Sequence, residues 1–145
     1  MGIRVRADHL EAIKRHGEST FPLECCGLLL GRLVDGEKIL EETYEVPNAK
    51  EEGTKHNRFL IPPEAVLKGE HYAREKKLEV LGFYHSHPNA EARPSQFDLE
   101  HAWPFYSYII VSVKGNKAQE MNSWKMKEDR SRFDLEPILS GESDL

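Results

Sequence analysis

The stretch GFYHSHPNAEARPSQFD, residues 82–98, holds two histidines one residue apart, then a loop, then a serine three residues before an aspartate. The residues leading into the histidines, LEVLGFY, are rich in β-branched and aromatic side chains and predict a strand. Successive side chains of a strand point to opposite faces, so His85 and His87 are expected on one face and Ser86 on the other. Ser95 is a favoured helix N-cap and predicts a short helix that carries Asp98 in its first turn.

Each half of this stretch also has an ordinary explanation. A chain with seven histidines produces a His-x-His pair by chance, and a serine followed three residues later by an acid is close to a capping box. Joined, however, the halves place Asp98 beside His85 and His87, because the helix starts directly after the strand-end loop. Two imidazoles and a carboxylate are ligands that zinc takes tetrahedrally, with a water in the fourth position of catalytic sites.

A hydrolytic zinc site also needs a general base that is not a ligand. Glu24 directly precedes CCGLLLGRL, a continuous apolar run that predicts a strand buried on both faces. A carboxylate at the end of such a strand is a candidate for this base. The alternative is an exposed loop glutamate after Pro22.

The remaining segments predict alternating strands and helices. GIRV predicts a strand, and a helix is expected from Asp8, as its cap, to His16, with Gly17 ending it. Further predicted elements are the hairpin partner KILEETYEVPN, a strand RFLI, a helix PPEAVLKGEHYAREKK, and strands YSYIIVSV, NSWKMK and SRFDLEPI. They predict an α/β (α+β) fold, with a mixed β-sheet sandwiched by about three helices. Residues 1–137 are expected to form a single domain, 49–57 a surface loop and 138–145 a flexible tail.

Composition narrows the classes of partner. The formal net charge of the 145 residues is -5 and no basic cluster alternates with aromatic residues, which argues against nucleic-acid binding. No apolar run approaches the roughly 20 residues that span a bilayer, and the N-terminus lacks a signal-peptide core, so no membrane partner and a cytoplasmic location are predicted. The two cysteines, Cys25 and Cys26, are adjacent and fit reduced, buried thiols.

Taken together, Glu24, His85-Ser86-His87, seven intervening residues, Ser95, two more and Asp98 resemble the E…H-x-H-x7-S-x2-D signature of the JAB/JAMM (MPN+) zinc metallopeptidases. PLECCGLLLGR, GFYHSHP, ARPSQFDLEHAW and YSYIIVSV are similar to the small prokaryotic branch, from about residue 3 to 137. The resemblance implies a JAB/MPN domain of cytidine-deaminase-like architecture and one Zn²⁺ per chain. It also implies His85, His87 and Asp98 as ligands, Glu24 as general acid/base, and Ser95 as the hydroxyl that holds the water and the oxyanion.

Members of this family cleave peptide or isopeptide bonds after the C-terminal glycines of ubiquitin-like proteins. The implied function is a zinc-dependent peptidase that hydrolyses the bond after the C-terminal Gly-Gly of a ubiquitin-like sulfur carrier protein and releases an amino acid or an extension. The carrier's tail is expected to add as a strand at a sheet edge. Linkage-selective polyubiquitin enzymes carry insertions for which SQFDLEHAW, followed closely by YSYIIVSV, leaves little room.

Several alternatives stay open at this point. The chain could instead be an isopeptidase that removes such modifiers from lysines of target proteins, or a non-catalytic scaffold of MPN type. A homodimer is one alternative for its oligomeric state. The segment 49–57 could order over a bound tail, and His101, three residues after Asp98, could support the ligands from behind.

Overall fold

The computed structural model describes residues 2–47 and 61–140, which contain three helices and eight strands. The helices are α1 (Ala7–Thr20), α2 (Pro63–Glu75) and α3 (Gln96–His101). The strands are β1 (Ile3–Val5), β2 (Cys26–Val34), β3 (Glu37–Val46), β4 (Glu79–Pro88), β5 (Ser107–Lys114), β6 (Lys117–Met126), β7 (Phe133–Glu136) and β8 (Ile138–Ser140).

The strands form one mixed sheet in the order β7-β6-β5-β4-β2-β3-β1-β8. β4 pairs antiparallel with β2 and parallel with β5, and β1 pairs parallel with both β3 and β8. β4, which carries the two histidines of the signature, is therefore internal. It lies three strands from β7 and four from β8, or roughly 14 and 19 Å at the usual strand spacing.

Helices cover both faces of the sheet, so the predicted fold class is confirmed. Ile13 of α1 packs with Leu29 and Val111 on one face, and Ala73 of α2 packs with Leu28 and Leu30 on the other. A third cluster joins Leu99 of α3 to Ala102, Tyr108 and Met126 on the α2 side. Alternate residues of β2 thus serve opposite clusters, as expected of a strand buried on both faces.

A β-bulge in β4 determines which face carries the histidines. Leu81 and Tyr84 are three residues apart, yet both belong to the cluster beneath α1. Regular alternation would place them on opposite faces. The β2–β4 register pairs Leu30 with Val80 and Leu29 with Gly82, so Leu81 has no partner on β2. After this extra residue, the side chains of β4 exchange faces. His85 consequently lies on the face of α2 and α3.

Helix α1 continues past the predicted end at Gly17 to Thr20. Gly17 is buried, and a Cβ built on it would lie 3.1 Å from Val113 Cγ2 and 3.3 Å from Ser86 Cβ. Glycine here lets the helix approach the sheet closely, which explains why it does not terminate the helix. The predicted cap is also wrong: the N-cap residue is Arg6, while Asp8 lies inside the first turn and forms an ion pair with Arg6 at 3.0 Å.

The C-terminal boundary differs from the predicted one as well. Residues 138–140 were expected to begin a flexible tail after Pro137, but they form β8, because β1 offers them a parallel partner. The predicted loop 49–57, most of RFLI and residues 141–145 lie outside the described residues. Within the described ranges, no helix is both long and apolar enough to cross a membrane.

Candidate metal centre

His85, His87 and Asp98 meet at the end of β4, where α3 begins. The Nε2 atoms of the two histidines are 3.1 Å apart, and each lies 3.3 Å from Asp98 Oδ2. All three side chains are buried, and their donor atoms form one compact cluster. The three ligands predicted from the spacing are therefore brought together, whereas a chance histidine pair would have no reason to share one carboxylate oxygen.

The geometry of this cluster suits zinc. Zinc takes imidazole nitrogen and carboxylate oxygen at about 2.0–2.2 Å, so neighbouring ligand atoms of a tetrahedral site are separated by about 3.3–3.4 Å. The three observed separations of 3.1–3.3 Å are close to this edge length. Three ligand atoms define one face of a tetrahedron, which leaves its fourth corner for water or a substrate oxygen.

A capping box at the start of α3 holds Asp98 in place. The Ser95 hydroxyl accepts a hydrogen bond from the Asp98 backbone N–H at 3.1 Å, and Asp98 Oδ2 accepts one from the Ser95 backbone N–H at 2.8 Å. The oxygen that faces the histidines is thus the one that the helix start fixes. The capping interpretation and the metal interpretation of this pair are both satisfied by one conformation.

The protonation states favour a cation. His87 Nδ1 lies 2.9 Å from the Glu91 carbonyl oxygen. A carbonyl can only accept, so Nδ1 carries the hydrogen and Nε2 keeps its lone pair for the cluster. Burial lowers the pKa of His85, and the nearby Asp98 carboxylate raises it by a smaller amount, so the net shift is downward. Burial alone would raise the pKa of Asp98, but the adjacent imidazoles and the Ser95 N–H outweigh it and lower that pKa. Both shifts favour the unprotonated His85 and the ionised Asp98, which are the forms that bind a metal.

Glu24 and Ser95 face the same cleft as His87, a cavity of about 360 Å³. Glu24 is only 3% exposed and is not one of the three cluster residues. Its position follows from two hydrogen bonds between neighbouring residues: the Cys25 N–H donates to the Ser86 side-chain Oγ at 2.9 Å, and the Ser86 backbone N–H donates to the Cys25 carbonyl at 3.3 Å. Continuing this antiparallel register places Glu24 opposite His87.

Four other side chains near the signature lie outside the cluster. His101 is exposed, stacks on the Phe97 ring with centroids 4.1 Å apart, and contacts the Phe97 carbonyl oxygen at 2.8 Å, so it does not support the ligands. Tyr84 faces the opposite cluster, where its hydroxyl lies 2.7 Å from His16 Nδ1. Cys25 and Cys26 are free and buried, as predicted, and burial raises the pKa of each thiol to about 12.

Two supporting contacts escaped prediction. The Glu91 carbonyl, which orients His87, is a backbone group in a loop and leaves no trace in residue type. The Ser86 hydroxyl anchors the strand after Glu24; strand alternation predicts the face on which it lies but not this contact. A serine between two histidines of a strand could have indicated this contact, because its hydroxyl can accept a hydrogen bond from a backbone N–H of the neighbouring strand.

Comparison with known families agrees with this arrangement. The family described as prokaryotic homologs of the JAB domain matches residues 6–127. The chain belongs to this family. The matched range includes all five residues of the signature, from Glu24 to Asp98, together with β2, β4 and α3.

Relatives of this JAB-family chain carry names of proteases. A desampylase from Haloferax volcanii is 32% identical over 95 residues, covering 65% of this chain and 66% of the relative. A probable TtuB-protein conjugate cleaving protease from Thermus thermophilus is 30% identical, covering 75% and 69%. A CysO-cysteine peptidase from Mycobacterium tuberculosis is 28% identical, covering 84% and 81%. The expected class of enzyme, a hydrolase of JAMM type, is confirmed by the family and these names.

Solved structures show the same JAB fold. A protein from Desulfitobacterium hafniense superposes with a TM-score of 0.84 at 30% identity, covering 97% of this chain and 94% of the other. A JAB1/MPN domain protein from Archaeoglobus fulgidus gives a TM-score of 0.58 at 21% identity, covering 98% and 100%. At that identity the second likeness concerns the fold alone.

Proposed function

We propose that this chain is a zinc-dependent peptidase that hydrolyses the bond after the C-terminal Gly-Gly of a ubiquitin-like sulfur carrier protein and releases an amino acid or a short extension. The observation that carries the proposal is the compact ligand face of His85, His87 and Asp98, with Glu24 and Ser95 at the cleft beside it. The names of the relatives support the substrate class, since one is a probable TtuB-protein conjugate cleaving protease and another is a CysO-cysteine peptidase.

In this proposal one Zn²⁺ per chain is held by His85, His87 and Asp98. When bound there, it would supply Lewis acidity, which polarises the scissile carbonyl and makes water a stronger acid. Glu24 takes a proton from the attacking water and returns it to the leaving amine, a role for which a general base is typically worth about 10²–10⁴-fold in rate. Both transfers happen in the cleft that Glu24 lines.

Ser95 stabilises the oxygen on which negative charge develops. Its hydroxyl oxygen already accepts from the Asp98 N–H, which orients the side chain without using its own proton. The O–H can therefore donate to the oxyanion, a contribution of about 10²–10³-fold in kcat for comparable donors.

The carrier's tail enters through this cleft rather than along a terminal strand. Among the described strands, β7 and β8 end the sheet, and both are remote from the internal strand β4. A Gly-Gly segment suits a narrow approach to the end of β4, because it has no side chains to clash with the cleft walls. A cytoplasmic location, a homodimer and a single-domain organisation stay predictions of the sequence.

An assay by mass spectrometry tests the function. Carriers ending in Gly-Gly followed by cysteine, by another residue, or by a lysine isopeptide are incubated with the purified protein. We expect cleavage directly after Gly-Gly, loss of cleavage with a chelator, and a fall of at least about 10²-fold in Glu24→Gln with zinc content near one per chain. Asp98→Asn is the matched control, for which zinc content and activity are both expected to fall.

The same assay separates the alternatives. Preferred cleavage of the lysine isopeptide would favour the modifier-removing isopeptidase, which the conjugate-cleaving relative makes the second candidate. Zinc content near zero in metal-replete medium would point to a non-catalytic scaffold. Unchanged activity in Glu24→Gln would contradict the role given to that residue.

A further inference from the structure

Arg93 stands at the rim of the cleft and is the one lining residue with a fixed positive charge among the described residues. The other charged groups of the lining are the carboxylates of Glu24 and Glu91, in a protein whose formal net charge is -5. These two carboxylates would repel an anionic group that enters the cleft. Arg93 is the lining side chain that would attract such a group.

The backbone of the loop fixes Arg93 relative to the ligand cluster. The Arg93 N–H donates to the Glu91 carbonyl oxygen at 2.9 Å, and the same oxygen accepts from His87 Nδ1. The residue that carries the guanidinium is thus two hydrogen bonds away from a proposed zinc ligand. A substrate group bound to Arg93 would be held in register with the reacting bond.

The present partner of the guanidinium is easily exchanged. Arg93 Nε lies 3.1 Å from Glu91 Oε1, and the two side chains are 71% and 63% exposed. Exposed ion pairs of this kind contribute little to stability, so a second carboxylate can replace Glu91 at small cost. Arginine presents five N–H donors in a planar fork that matches a carboxylate in a bidentate manner.

The two candidate substrate types differ in one charged group near the scissile bond. When Gly-Gly is followed by a single residue, the leaving amine carries a free α-carboxylate one carbon away. In a lysine isopeptide, the leaving amine lies at the end of a four-carbon chain and has no carboxylate beside it. We propose that Arg93 binds the free α-carboxylate of the released residue and so selects carriers extended by one amino acid, an inference that rests on the function proposed above.

The test compares kcat/KM for a carrier ending in Gly-Gly-Ala with a free carboxylate and for the same carrier ending in a carboxamide. We expect the wild type to prefer the carboxylate by about tenfold and Arg93→Gln to reduce this ratio to near one, mainly through KM. Glu91→Gln should raise the ratio by a few fold, because it removes the competing carboxylate. The matched control is Arg132→Gln, whose i,i+2 ion pair with Asp134 spans 3.0 Å at 66% exposure, and whose ratio should equal the wild type's.

The outcomes separate a failure of this inference from a failure of the proposed function. Equal losses on both substrates in Arg93→Gln, or an unchanged ratio, would overturn the role of Arg93 while leaving the peptidase intact. If the wild type cleaves neither substrate, calorimetric binding of both carriers to the Glu24→Gln protein still reports the contact. Equal affinity for the carboxylate and the carboxamide there would also refute it.

Discussion

The Ser95 hydroxyl has one observed task and one proposed task. As an N-cap it satisfies the Asp98 backbone N–H, which would otherwise have no partner inside the helix. As a donor it is proposed to stabilise the developing oxyanion. The first task uses an oxygen lone pair and the second uses the hydroxyl proton, so one hydroxyl can perform both. A substitution that deletes the hydroxyl removes both tasks, and one that keeps it retains both.

Ser95→Ala removes both tasks, and Ser95→Thr keeps both. We expect Ser95→Ala to lower the free energy of unfolding by about 1 kcal/mol. We expect it to lower kcat by about 10²-fold, measured on the carrier substrate with zinc content determined in parallel. Ser95→Thr should recover most of each loss. A full loss of activity in the threonine variant, with normal stability and zinc, would show that the hydroxyl is not the relevant feature.

At the level of elements, helix α1 and strand β4 are matched in shape. Gly17 lies over Ser86 of β4 and Val113 of β5, at a distance where even a methyl group touches both. Ser86 lies between His85 and His87 in sequence, so α1 packs against one face of β4 and the two histidines lie on the opposite face.

Gly17→Leu should therefore force α1 away from the sheet. We expect a loss of more than about 2 kcal/mol in the free energy of unfolding, measured by denaturant titration, because overpacking displaces neighbours. The matched control is Ser19→Leu on the exposed side of the same helix, for which a change within about 0.5 kcal/mol is expected. Similar losses at both positions would contradict the close contact described for Gly17.

These elements show what local sequence can and cannot predict. The spacing from His85 to Asp98 predicted which side chains meet, because a strand end and a helix start impose directions on neighbouring side chains. Gly17 misled the prediction because its propensity to end a helix was judged without the sheet that it contacts. For His101, helical spacing from Asp98 leaves a supporting role open, because spacing does not reveal that Phe97 offers a stacking partner.

At the scale of the molecule, Lys38 joins distant parts of the sheet. It lies on β3 and is 4% exposed, and its Nζ donates to Ser107 Oγ at 2.9 Å and to the Phe105 carbonyl oxygen. Burial lowers the pKa of Lys38 to about 8, which the carboxylate of Glu136 only partly opposes. No local pattern predicts this contact, since it depends on strand order and crosses 67 residues of chain.

The lowered pKa makes stability depend on pH. Between pH about 8 and 10.5 the unfolded chain keeps the Lys38 proton and the folded protein has released it, so the lysine's contribution to stability rises with pH. We expect the free energy of unfolding of the wild type, minus that of Lys38→Met, to increase by about 2–3 kcal/mol over this window. The buried thiols have the opposite effect above pH 9 in both proteins, so it cancels in the difference. A flat difference would contradict the lowered pKa.

The two histidines of the cluster lie on an internal strand, while Asp98 lies on a helix of six residues. An internal strand opens only when much of the sheet opens, whereas a short helix can detach in a local fluctuation. A cation held between them would therefore depart when α3 swings away, long before the sheet unfolds. Its residence time would be set by the lability of one helical turn and a half.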